Sequence, residues 1–183
     1  MHPTRSLVAS LALLWLPLQA QAHVMFTQTA AQPGANAVYA LRIGHGCGGS
    51  ATASLRVEIP EGVMAARPEA KPGWTITVEH TPLKTPVSGE GGKMQTDRVS
   101  AITWTGTLPD DEFDDFPVEL KLPKTSGALY FPATQVCQAG RADWRDVPVA
   151  GQKVAHPAPV LVLGDGMAAM ADMPGMDMGG MGK

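Results

Sequence analysis

Apolar and polar residues alternate with a period of two along most of this chain. Tyr39, Leu41 and Ile43 share one face, and Ala40 and Arg42 share the other. The same beat recurs in Leu55, Val57 and Ile59 against Arg56 and Glu58, and in Val118, Leu120 and Leu122 against Glu119 and Lys121. Trp74, Ile76 and Val78 repeat it against Thr75, Thr77 and Glu79. Successive side chains of an extended chain point to opposite faces, so the pattern predicts half-buried β-strands and not helices. Pro33-Gly34, Pro60-Glu61-Gly62, Pro72-Gly73, Ser88-Gly89 and Pro109-Asp110 punctuate the runs as turns. Residues 99–105, 128–137 and 160–163 are further strand candidates. Seven or eight short strands in about 140 residues predict an antiparallel β-sandwich. Trp74 and Trp104 fall on inward faces, and the Gly-rich polar stretch 85–95 reads as a mobile hairpin loop.

The two ends break the alternation. Residues 1–22 have the form of a secretory signal: Arg5 at the start, an apolar run over 7–18, and Ala20-Gln21-Ala22 as a small-x-small cleavage site. The apolar run is too short to span a bilayer. Residues 164–183 are rich in Gly, Met and Asp, without an aromatic or β-branched residue beyond Leu163. Such a segment buries too little surface to order itself and is expected to be a flexible tail. The domain proper is therefore expected at 23–163.

Charge and cysteine usage narrow the function. The chain carries 14 Lys and Arg against 17 Asp and Glu. Cleavage after Ala22 removes one cation, Arg5, and no carboxylate, so the mature protein is more acidic than the full chain. That balance gives no surface for a nucleic acid. Cys47 and Cys137 are the only cysteines. An even count in an exported chain predicts one disulfide; a pair of thiolate copper ligands is the alternative. The expected location is periplasmic or secreted.

The residue that cleavage exposes is His23. A mature N-terminal histidine offers its α-amine and its ring Nδ1 together, and the two close a six-membered chelate on a metal. Neutral nitrogen donors suit Cu(II), which stands highest in the divalent affinity order and accepts tetragonal N/O sites. The α-amine titrates near ~7.7–8.0, so a metal displaces only a loosely held proton at neutral pH.

Several stretches behind His23-Val24 carry a resemblance. They are Ile59-Pro60-Glu61-Gly62-Val63, Lys71-Pro72-Gly73-Trp74, Ile102-Thr103-Trp104-Thr105-Gly106, Glu112-Phe113-Asp114-Asp115-Phe116, Leu129-Tyr130-Phe131-Pro132-Ala133 and Trp144. In this order the chain resembles the YcnI-like copper-binding family. The resemblance implies an immunoglobulin- or fibronectin-like β-sandwich and a Cu(II) site built as a mono-histidine brace. His23 corresponds to the chelating histidine and Trp144 to the neighbouring tryptophan. The carboxylate corresponds to Asp115, where the family more often has glutamate, with Glu112 and Asp114 as substitutes. Without the resemblance, Trp144 reads as a core or edge aromatic, and the five carboxylates within 110–115 read as a solvated acidic turn.

Six of the ten methionines lie in the tail, at Met167, Met170, Met173, Met176, Met178 and Met181. Thioethers are soft donors that select Cu(I), so the tail is a candidate second copper site. His45, in a glycine-rich turn, and His80 and His156 read as surface residues. The leading expectation is a copper-binding chaperone or buffer, not an enzyme, whose partners are copper ions and periplasmic or membrane copper-transport proteins. Two alternatives stand beside it. A copper oxygenase needs a second histidine at the metal, and an adhesion or partner-binding sandwich needs no metal.

Overall fold

The computed structural model describes residues 23–149 and 154–164. The expected signal peptide and, apart from Gly164, the expected tail lie outside them. The described residues form β1 (Val24–Phe26), β2 (Ala30–Ala31), β3 (Asn36–Ile43), β4 (Thr52–Glu58), β5 (Ala65–Pro68) and β6 (Thr75–Ser88). There follow β7 (Met94–Leu108), β8 (Asp114–Lys121), β9 (Gly127–Tyr130), β10 (Ala133–Cys137), β11 (Arg141–Trp144) and β12 (Val160–Leu163). Four strands make one sheet in the order β1-β3-β8-β5, and five make another in the order β11-β10-β4-β7-β6. A small third sheet, β2-β12-β9, contains a parallel pair, β2 with β12.

The alternating residues explain why the two large sheets pack. Leu41, Ile43, Phe116, Val118 and Leu120 from one meet Leu55, Val57, Ile102 and Trp104 from the other, none more than 1% exposed. Trp104 on β7 meets Phe116 on β8 edge-on, with ring centroids 5.5 Å apart. Burying each such side chain contributes about 1.5–3 kcal/mol relative to leaving it in water. This is the sandwich that the period-two pattern predicts.

Trp74 lies in the turn before β6 and is only half-buried, resting on Phe116 at 4.9 Å. Its indole lies directly over Gly106. A Cβ at Gly106 would come within 2.7 Å of the ring and 2.8 Å of the Gly73 carbonyl oxygen. The glycine in Trp-Thr-Gly and the tryptophan in Lys-Pro-Gly-Trp are thus two halves of one contact.

The structure differs from the pattern in several places. β6 continues to Ser88 and β7 begins at Met94, so the hairpin loop shrinks from 85–95 to a single 3-10 turn, Glu90–Gly92, with its flanking residues. His80 lies inside β6 and does not end it. The run 128–137 divides at Phe131-Pro132, where the chain leaves the small sheet for the five-stranded one. Pro132 has no N–H for a ladder, and its carbonyl accepts from Glu58 N–H at 2.8 Å. Asp114 and Asp115 open β8 and do not belong to the acidic turn.

Cys47 and Cys137 form a disulfide, with Cα atoms 6.0 Å apart. It joins the loop after β3 to the end of β10, one from each large sheet. The pairing overturns the alternative of two thiolate copper ligands, because a bonded sulfur has no thiolate to offer. It also fits a compartment in which disulfides persist.

Candidate functional site

His23 stands immediately before β1, whose register pairs Val24 with Ile43 and Met25 with Arg42. Val24 and Phe26 turn inward, while Met25 faces solvent. Strict alternation would send the His23 side chain outward with Met25. Its ring lies instead against the indole of Trp144, with centroids 5.1 Å apart and planes tilted by 39°. Trp144 ends β11, the edge of the five-stranded sheet, and pairs with Ala133 on β10. The edge strands of both large sheets therefore meet at this histidine–tryptophan contact.

Trp144 is 2% exposed. Its Nε1–H has no hydrogen-bond acceptor among the described residues. Such a buried donor is costly unless something not yet in place accepts from it. Arg145, the next residue, donates to both oxygens of Glu58 on β4, at 2.9 and 3.1 Å, and ties the end of β11 to the sheet.

The indole has a second neighbour. The ring of His156 lies 5.3 Å from it at 68°. Asp146 holds the backbone of this histidine from both sides: its carboxylate accepts from His156 N–H at 3.0 Å, and its own N–H donates to His156 O at 2.9 Å. Asp146 O also accepts from Ala158 N–H. His45 follows β3 by two residues and so belongs to the same end of the sandwich. Its Nδ1 donates to Gly46 O at 2.8 Å, which leaves Nε2 as the bare nitrogen. Buried Gln135 donates to His45 O and to Thr52 Oγ1. His80 is elsewhere, exposed on the β6–β7 hairpin and 3.3 Å from Asp97.

The carboxylates are placed differently from the histidines. Asp115 lies across β3 from β1, in the row Met25–Arg42–Asp115. Two strand spacings and two residues separate it from His23, about 11–12 Å between Cα atoms. Arg42 grips both its oxygens, at 2.7 and 2.8 Å. Those hydrogen bonds hold the Asp115 carboxyl below the usual carboxylate range, against the opposing effect of burial. Asp114 accepts from Lys71 Nζ at 2.7 Å and from Asp115 N–H. Phe113 is exposed under the Arg42 guanidinium, 4.6 Å away. Glu112 sits in the turn closed by its own N–H to Pro109 O.

The structure thus brings His23 and Trp144 together, while Asp115 lies two strands from β1 with both oxygens engaged by Arg42. Among the described residues, no three His, Cys, Asp or Glu side chains gather into a group that could hold a metal ion. The donor chemistry still fits copper in part. A free histidine terminus supplies two nitrogens, and the indole closes one side. His156 is the residue the sequence did not reveal. Its contacts, Trp144 and Asp146, lie close behind it in the chain, and no motif spacing relates it to His23.

A family model described as "Domain of unknown function (DUF1775)" matches residues 23–163. Among solved structures, the chain is similar to an uncharacterized protein from Nocardia farcinica with an immunoglobulin-like fold. The identity is 27% and the TM-score 0.58, over 78% of this chain and 99% of that one. A type I cohesin from Pseudobacteroides cellulosolvens aligns at 10% identity with a TM-score of 0.34, over 78% of this chain and 91% of that one. No curated protein matches.

Proposed function

The chain belongs to the DUF1775 family, the YcnI-like domain, and on that premise we propose that it is an exported copper-binding protein, a chaperone or buffer and not an enzyme. Its residues 1–22 act as a cleaved signal peptide, and the mature protein works in the periplasm or outside the cell. Cu(II) is held by the α-amine and ring Nδ1 of His23 beside Trp144. A carboxylate of the acidic segment, Asp115 or Glu112, adds an oxygen. Met167, Met170, Met173, Met176, Met178 and Met181 offer Cu(I) a separate, softer site. Copper is the cargo here, and the protein's partners are copper ions and periplasmic or membrane copper-transport proteins.

The observation that carries this function is the His23–Trp144 contact. A residue expected to point outward from an edge strand is turned onto a buried indole at the meeting of two sheets. That placement shields one side of a chelating terminus. An indole lends no lone pair, so its part is to wall the site and set its ring face near the cation.

Copper titration of the processed protein, followed by electron paramagnetic resonance, tests the proposal. One tight Cu(II) site is expected, with a tetragonal spectrum that His23→Ala abolishes. Protein that keeps Ala22 has no free histidine amine and should lose the site as well. An unchanged spectrum in either variant would remove His23 from the site.

A further inference from the structure

We propose that His156 supplies a second imidazole nitrogen to copper held at His23, so that this chain binds Cu(II) with two histidines and not one. The proposal rests on the copper reading above and adds a ligand to it. Two observations carry it: both rings touch the same indole, and that indole holds a buried donor without an acceptor.

Three of the four histidines after residue 22 lie at one end of the sandwich, and two of them flank Trp144. With centroid distances of 5.1 and 5.3 Å to that indole, the His23 and His156 rings both rest on it, and their own centroids are at most about 10.4 Å apart. Metal–imidazole bonds of about 2.0–2.1 Å let two rings share an ion once both turn toward it, a change within ordinary side-chain rotamers. His156 is free to make that turn. Its backbone is anchored by Asp146, while its ring is exposed and forms no hydrogen bond among the described residues.

The competing donors are less available. Both oxygens of Asp115 are engaged by Arg42, and Asp114 is paired with Lys71. A neutral imidazole costs no salt bridge to recruit. Cu(II) takes four equatorial donors, and the amine and ring of His23 fill two. His156 fills a third, and an oxygen donor in the fourth place gives the buried Trp144 Nε1–H the acceptor it lacks.

Pulsed electron paramagnetic resonance on the processed, Cu(II)-loaded full chain counts equatorial imidazoles directly. The expected wild-type pattern contains the combination lines of two imidazoles. His156→Ala should reduce it to one imidazole and weaken Cu(II) binding at least tenfold, roughly what the loss of even an outer ligand partner costs. His156→Phe keeps an aromatic ring against Trp144 without a nitrogen, and it should match the alanine variant. A one-imidazole wild type that His23→Ala abolishes would overturn His156 as a ligand and leave the His23 site standing. A two-imidazole pattern that survives His156→Ala overturns it too, and assigns the second ring to His45. A copper signal indifferent to His23 removes both the site and its second ligand.

Discussion

Gly106 shows how closely one residue can be specified. Its missing side chain is the space that the Trp74 indole occupies, and the tryptophan in turn covers Phe116. Gly106→Ala would force the ring or the Gly73 backbone to move. Overpacking of this kind costs typically about 1–3 kcal/mol. A lower urea midpoint with an unchanged denaturant slope is the expected result. Sequence alone showed the glycine and the tryptophan as members of separate motifs. Only the packing joins them, since their partnership depends on how β6 and β7 are aligned.

At the scale of elements, the pattern located the long strands and the short β9, β10 and β12, and missed four other short ones. β3, β4, β7 and β8 carry enough inward residues to display a period. β1, β2, β5 and β11 have two to four residues each, too few for a period to register. Two of these, β1 and β11, build the candidate site, so its strands were the least legible. His23 and Trp144 were reached through a family resemblance and through the chemistry of a cleaved terminus. His156 had neither signal.

The short β11 is tied down by charge, and that yields a pH prediction. Glu58 has its carboxyl held below the ordinary range, foremost by the hydrogen bond from Arg145, with burial opposing and Arg56 adding to the effect. Folding lowers this pKa. The stabilisation is therefore full above the unfolded carboxyl's range near 4.5 and is lost as pH falls through the folded value. Partial exposure limits the pair to at most about 1 kcal/mol. Glu58→Gln should lower the urea midpoint at neutral pH, and the gap to wild type should narrow and close in acid. A gap that stays constant with pH would show that the glutamine acts by packing and not by charge.

For the whole molecule, what holds the fold can be separated from what would hold the proposed copper. The Cys47–Cys137 disulfide closes 90 residues between two sheets. The chain-entropy model assigns such a loop about 4–5 kcal/mol, usually more than is realised. Replacing both cysteines by alanine should lower the melting temperature clearly, yet Cu(II) affinity at saturating folding conditions should not change, because neither sulfur is a ligand. The tail makes the opposite separation. Every described strand ends by Leu163, so a chain stopped after Gly164 keeps the entire sandwich and its core. It loses six thioethers, the donors that favour Cu(I), and none of the nitrogens that favour Cu(II). Competition with a Cu(I) chelator should show weaker binding for the shortened chain, while Cu(II) titration gives the same affinity and the same spectrum. Equal Cu(I) affinity for the two chains would strip the methionines of their role and return monovalent binding to the sandwich, where Met25 stands exposed two residues from His23.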